Sequence, residues 1–236
     1  MKSKIIIFTD LDGTLLDKTK FHFRQAKKYI NELISKNIII IPISSKTEKE
    51  IRLFLREIKH NLPFVTENGS EIYNLNLLKK TFPRKITLAR NKLKIYEIFN
   101  KKIDPQILEN CEFVFKMTKR KQTKILGLKG KKLNASLHRK FTFPFIFRGS
   151  KFKKNKLLKD TNKMGLNILE GGRVMNLGDK IDKGYAVNKI LKLTKNKLKS
   201  KIHTIAVGDN SNDLSMLNIS EYPCIIGNKN LKIKNK

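Results

Sequence analysis

Hydrophobic and polar positions follow two textures along this chain, and the change from one to the other divides it. The first texture is a set of short β-branched runs, each stopped by a polar cluster. Lys4-Ile5-Ile6-Ile7-Phe8-Thr9 is one, and Asp10-Leu11-Asp12-Gly13-Thr14 ends it. A continuous apolar run of this length predicts a strand buried on both faces of a parallel sheet. Over 23–36, Ala26, Ile30, Leu33 and Ile34 recur at helical spacing, which predicts a crossover helix. Residues 38–43 predict a second buried strand, and Ser44-Ser45-Lys46-Thr47 follows it, so the three elements form a right-handed parallel unit. Thr47 with Glu50 is a capping box, opening a helix that turns Ile51, Phe54, Leu55 and Ile58 to the core. Residues 63–66 and 71–73, joined by Glu67-Asn68-Gly69, predict a hairpin.

From about 81 to 178 the texture changes to short strand candidates and lysine-rich helices. Strands are expected over 81–86, 143–147, 166–169 and 173–177, and helices over 92–100 and 151–163, with Gly149, Gly165 and Gly171-Gly172 between them. The low-complexity stretch 116–132 is expected to be a mobile edge. The first texture then returns: a helix carrying Ala186, Val187, Ile190 and Leu191, and a strand over 201–207 that stops at Gly208-Asp209-Asn210-Ser211-Asn212-Asp213. A helix with Leu214, Met216 and Leu217 and a last strand over 223–226 complete it. The expected fold is α/β: a Rossmann-like parallel-sheet core from 1–80 and 179–236, with an inserted α+β cap over 81–178.

Composition narrows the possibilities. No stretch of the 236 residues approaches the roughly 20 apolar residues of a membrane span, and the N-terminal apolar run ends in aspartates, unlike a signal peptide. A cytoplasmic protein is expected, and Cys111 and Cys224, without metal-ligand spacing, suit a reducing compartment. His22, His60, His138 and His203 show no metal spacing either. The net charge of +32 invites a nucleic-acid reading. Against it, the excess is nearly all lysine, spread from Lys2 to Lys236 among many Ile and Asn; codon composition explains these together, whereas a nucleic-acid surface concentrates arginine and aromatics. Nucleic-acid binding is therefore kept only as a remote alternative, and a small anionic, phosphorylated partner is favoured.

Three strands end in polar clusters: Asp10/Asp12, Ser44/Lys46 and Asp209/Asp213. Taken alone, Asp-x-Asp-Gly is equally a polar turn. In an open parallel sheet, however, the ligand site lies beyond the carboxyl ends of the strands, so the three clusters converge. Asp10 and Asp12, two apart, face one pocket while Leu11 turns to the core. Carboxylates from two strands suit Mg²⁺, with serine and lysine donors for phosphoryl oxygens. One carboxylate can attack phosphorus and its neighbour can move protons. Lys183, at a helix start, is preferred over Lys180 for the phosphate, and Lys46 reads better as a surface or capping lysine.

Asp-Leu-Asp-Gly-Thr after an apolar strand, Ser44, Lys183 and Gly-Asp-x-x-Asn-Asp resemble, in this order, the four motifs of haloacid dehalogenase-like phosphatases. Ile-Ser-Ser-Lys-Thr at 43–47, Pro-Phe-Val-x-Glu-Asn-Gly at 63–69, Arg139 in Arg-Lys-Phe-Thr-Phe-Pro-Phe, and Gly-Gly-Arg-x-x-x-x-Gly at 171–178 are similar to the mannosyl-3-phosphoglycerate phosphatase branch. The resemblance implies Asp10 as nucleophile, Asp12 as acid/base, and Thr14, Ser44 and Lys183 on the phosphate. It also implies Mg²⁺ on Asp10, Asp12 (through its backbone carbonyl) and Asp209, supported by Asn212 and Asp213. Arg139 and Arg173 are candidates for the glycerate carboxylate, with solvated cap arginines as the equal alternative. The implied substrate is mannosyl-3-phosphoglycerate or its glucosyl analogue, handled by a monomer or weak homo-oligomer. Another sugar or polyol phosphate, such as sucrose phosphate or a hexose phosphate, is the alternative. Two positions depart from the pattern: Phe143 stands in place of glutamate and Asn176 in place of histidine.

Overall fold

The computed structural model describes residues 3–16, 24–198, 200–227 and 230–233; Phe23 at the expected helix start, His22 and the lysine-rich end at 234–236 lie outside them. By its internal contacts the chain forms two compact units. One comprises Met1–Ser45, Ile51–Leu88 and Asp182–Lys236, and the other Lys46–Glu50 and Ala89–Ile181.

The first unit begins with β1 (Ser3–Thr9), α1 (Arg24–Ser35), β2 (Ile39–Pro42) and, from Ile51 on, α2 (Glu48–Ile58). Next come β3 (Phe64–Thr66), β4 (Glu71–Tyr73) and β5 (Lys85–Thr87). β3, β4 and β5 form an antiparallel sheet in which Ile72 pairs with both Val65 and Ile86. The strand expected over 81–86 as the first of the inserted segment is thus β5, a partner of β4, because Ile86 and Leu88 pack on the core of this unit.

The second unit contains α3 (Lys92–Lys102), α4 (Pro105–Leu108), β6 (Cys111–Phe113), α5 (Lys119–Leu126) and α6 (Gly130–Leu137). β7 (Phe143–Phe147), α7 (Lys151–Lys163), β8 (Leu166–Glu170) and β9 (Met175–Asp179) follow. Its sheet is antiparallel in the order β6-β7-β9-β8, and Ile95 and Phe99 of α3 and Leu157 of α7 pack on it. Phe143 is buried in an aromatic cluster with Tyr96, Phe113 and Phe115, so this departure serves packing. The low-complexity stretch folds as α5 and α6: the Thr118 hydroxyl caps α5 through the Lys121 N–H, Gly127 ends it at φ 66°, and buried Gln122 donates to the Val114 carbonyl. Near the start and end of 89–181, Arg90 grips Asp179 through its backbone N–H, Nε and Nη2 at 2.6–3.0 Å.

The chain then returns to the first unit with α8 (Lys183–Lys197), β10 (Lys201–Gly208), α9 (Leu214–Ile219) and β11 (Tyr222–Ile225). The main sheet is wholly parallel, in the order β11-β10-β1-β2. Ile6 and Phe8 meet Ala186, Val187 and Ile190 of α8 and Met216 and Leu217 of α9. On the other side Ile40 and Leu11 meet Ile30 of α1 and Ile51, Phe54, Leu55 and Ile58 of α2. Each large apolar side chain fully buried this way contributes about 1.5–3 kcal/mol. Register does the rest. Thr9 lies opposite both Val207 and Pro42, so β1, β10 and β2 end level with one another. The Asp10 N–H donates to the Val207 carbonyl (2.9 Å) and the Ile43 N–H to the Thr9 carbonyl (2.8 Å), holding the three exits together. Among the described residues no helix is long and apolar enough to cross a membrane.

Candidate active site

Level strand ends bring Asp10, Ser44 and Asp209 out at one edge of the sheet, all buried. Leu11 is fully buried beneath them, as the alternation at the strand end predicts. Past it the chain turns sharply: the Gly13 N–H donates to the Leu16 carbonyl (2.8 Å) and the Leu16 N–H to the Leu11 carbonyl (2.7 Å), with Gly13 at φ 81°. That turn leaves Asp12 half-buried, close enough that its charge raises the pKa of Asp10. The Thr14 hydroxyl is buried and has no hydrogen-bond partner among the described residues.

Lys183 enters from the first turn of α8. The Asp182 side chain caps that helix by accepting from the Tyr185 N–H (2.8 Å). The Gly184 N–H donates to Ser215 Oγ (3.0 Å), and a Cβ at Gly184 would lie 2.6 Å from the Ser215 carbonyl oxygen, so only glycine lets α8 approach α9 this closely. The fully buried Lys183 ammonium donates to Asp10 Oδ1 and Asp213 Oδ1, both at 2.6 Å. Asp213 Oδ2 accepts the backbone N–H groups of Asp209 and Asn210, each at 2.9 Å. Asp213 therefore fixes both the lysine and the loop that carries Asp209, a larger part than the supporting one the motif implied.

The electrostatics follow from this sharing. Asp10, Asp209 and Asp213 each present a carboxylate oxygen within 4.8 Å of the others, and all three are buried. One ammonium among three carboxylates leaves a charge of −2 if all are ionised. Burial pushes Asp10 up to about 7, with Asp213 and Asp12 acting in the same direction and Lys183 against them. Burial also opposes the charge on Lys183, but Asp10 and Asp213 outweigh it and hold its pKa above the ordinary value. Burial raises Asp10 by more than Lys183 offsets, while the two carboxylates beside Lys183 favour its charged form. Oxygen-only donors with this surplus charge fit a hard divalent cation. Since Lys183 and two amides already occupy Asp213, the oxygens best able to hold a metal are those of Asp10 and Asp209.

Glu67-Asn68-Gly69 is also part of this edge. Asn68 is buried, its N–H donates to the Ser44 carbonyl (2.9 Å), and its Oδ1 accepts from Asn212 Nδ2 (3.2 Å). From the residues alone this segment reads as a hairpin turn; the available signal that it reaches the site was the Pro-Phe-Val-x-Glu-Asn-Gly resemblance. Arg139 and Arg173 lie in the second unit, where Arg139 Nη1 donates to Thr142 Oγ1 (2.9 Å) and Arg173 Nη1 to the Leu126 carbonyl (2.5 Å). Lys46 sits 3.8 Å from Glu50, in keeping with a capping position. His60 and His203 are spent on Asn31 and Glu221.

Residues 7–236 match the family described as haloacid dehalogenase-like hydrolase. The chain belongs to that family. It is 30% identical to a glucosyl-3-phosphoglycerate/mannosyl-3-phosphoglycerate phosphatase of Persephonella marina, over 97% of this chain and 87% of that one. A protein of the same name from Methanococcoides burtonii is 28% identical, over 94% of this chain and 85% of the relative. As a member of this hydrolase family with phosphatase relatives over nearly its whole length, the chain is a phosphoric monoester hydrolase. Its fold matches a haloacid dehalogenase-like hydrolase from B. subtilis (TM-score 0.65, 17% identity, covering 91% of this chain and 86% of the other). It also matches a subclass IIB sugar phosphatase of the superfamily (TM-score 0.61, 16% identity, covering 93% and 85%).

Proposed function

We propose that this hydrolase removes phosphate from glucosyl- or mannosyl-3-phosphoglycerate, releasing the glycosylglycerate, a compatible solute, by way of a phosphoryl group carried on Asp10. The observation that carries the reading is the buried Asp10–Lys183–Asp213 chain beside Asp209, in a protein whose relatives bear that substrate in their names over nearly its full length. Asp10 Oδ attacks phosphorus, and the bond from phosphorus to the glycerate oxygen breaks. Asp12 gives its proton to that departing oxygen, then takes one from the water that attacks the aspartyl-phosphate, returning Asp10 and inorganic phosphate. Lys183 keeps the Asp10 carboxylate aimed, and Thr14 and Ser44 offer hydroxyl donors to the phosphoryl oxygens. Asp10 and Asp209, with the Asp12 carbonyl, are the residues suited to hold Mg²⁺, which when bound supplies charge neutralisation for the phosphoryl group. Two free cysteines are consistent with a reducing, cytoplasmic setting.

A second reading, a phosphatase of another sugar or polyol phosphate, draws on the second unit. Arg139 and Arg173, the candidates for a glycerate carboxylate, both have protein acceptors, and Phe143 and Asn176 depart from the branch pattern. Phosphate release with Mg²⁺ over both glycosyl-3-phosphoglycerates, sucrose phosphate and simple hexose phosphates separates the two. A preference of about tenfold or more in kcat/KM for the glycosyl-3-phosphoglycerates is expected. A flat profile contradicts the narrow assignment.

A further inference from the structure

The turn after β3 is too strained for a plain connection. Glu67, Asn68 and Gly69 stand in succession at φ 45°, 59° and 106°, in the left-handed region that side chains rarely adopt, and two of the three carry side chains. Glu67 and Asn68 are also 2% and 3% exposed, so no water relieves them. Such a conformation persists where surrounding contacts impose it, and here they do. The Asn68 N–H is tied to the Ser44 carbonyl and Oδ1 to Asn212 Nδ2, so this one residue joins the loops after β2 and β10. One group of Asn68 is left over: Nδ2 is buried and has no hydrogen-bond partner among the described residues. A buried amide donor without an acceptor is unfavourable, and a fold that also strains the backbone to place it is preparing it for an acceptor that arrives later.

We propose that Asn68 binds substrate, its Nδ2 donating to an oxygen of the phosphate ester. This rests on the phosphatase reading above and adds a group to it. The chemistry suits the place. Two of the three Lys183 N–H bonds are spent on Asp10 and Asp213, so the site needs neutral donors for the several oxygens of a phosphoryl group. Thr14 Oγ1 is another buried hydroxyl with no partner among the described residues, carried on a different loop of the same edge. An uncharged donor in the left-handed conformation is what asparagine, among non-glycine residues, supplies with least strain.

Three variants separate a substrate contact from a purely structural brace. Asn68→Asp keeps an oxygen for Asn212 but removes the donor. Asn68→Gly removes the side chain while tolerating φ 59°, so it folds even if bulkier changes do not. Asn212→Ala breaks the brace while leaving the Asn68 Nδ2 donor in place. The measurements are kcat/KM for a phosphate monoester and the inhibition constant of inorganic phosphate, with thermal unfolding as the check on folding. The expected result is a loss of about 10- to 100-fold in kcat/KM for both Asn68 variants, with phosphate inhibition weakened in parallel, and a loss at least about fivefold smaller for Asn212→Ala. Asn68→Asp close to wild type, or Asn68→Gly and Asn212→Ala losing equally with phosphate inhibition unmoved, overturns the proposal and leaves the phosphatase reading standing. A wild-type protein that releases phosphate from no monoester removes both.

Discussion

Asp213→Asn is the change that probes the site's electrostatics most sharply. The wild-type carboxylate is fully buried and satisfies three donors: Lys183 Nζ at 2.6 Å and the N–H groups of Asp209 and Asn210 at 2.9 Å. An amide of the same shape has one accepting oxygen. Either its NH₂ faces the lysine, donor against donor, or it faces the two backbone amides and leaves them unpaired. Removing one partner of a buried ion pair costs about 3–5 kcal/mol, and because Lys183 keeps Asp10 the lower end applies, about 3 kcal/mol. For a chain of 236 residues each kcal/mol moves the midpoint by about 2–4 °C, so a fall of about 6–12 °C is expected. Circular dichroism melts in the presence of a chelator measure it free of any bound metal. Misaligned Lys183 and Asp209 should also lower kcat by about 100-fold. A variant that melts within about 2 °C of wild type would refute this account of Asp213.

Two further outcomes follow from packing and burial. Gly208→Ala would set a Cβ 2.5 Å from the Asp213 Cβ, so it should destabilise by about 1–3 kcal/mol and depress activity, whereas Gly172→Ala, with nothing within 4 Å, should melt like wild type; equal melts would contradict the packing described. Burial pushes the Cys111 thiol up to about 12, while Cys224 is exposed. A thiol reagent near pH 8 should therefore label one cysteine per folded chain, mapped to Cys224 by peptide mass; fast labelling of Cys111 would contradict its environment.

The parts of the fold written in apolar runs could be read from the chain. The strands around Ile6, Ile40 and Ala206 hold the core, although Ile5, Ile7, Ile205 and Val207 on the alternate positions are only partly buried, and a β-branched run has few other homes. The Thr47/Glu50 box is local, and both of its hydrogen bonds are present, at 2.9 and 3.2 Å. What escaped depends on distant partners. β5 belongs with β4 only because Ile86 finds Ile72 across a hairpin, a pairing that composition does not mark. α5 and α6 hide in lysines because the contacts that seat them, Gln122 donating to the Val114 carbonyl and Thr47 Oγ1 donating to the Ala135 carbonyl among them, are not marked by the local pattern. The candidate site divides in the same way. Asp10, Lys183 and Asp209 stand at strand and helix ends where chemistry is expected, and the structure gathers them. Asn68 reads as a plain turn except through the Pro-Phe-Val-x-Glu-Asn-Gly resemblance, and the double duty of Asp213 could not be read, because each is defined by hydrogen bonds to residues far along the chain: Asn212 for one, Lys183 for the other.

The central claim is that Asp10 carries the phosphoryl group, and rapid acid quenching of a turnover mixture tests it most directly. Proteolysis and mass spectrometry of the quenched protein should find the added mass of one phosphoryl group on the peptide containing Asp10, absent from Asp10→Asn, which should also release no phosphate. A phosphoryl group found on another residue, or full turnover by Asp10→Asn, would contradict the account.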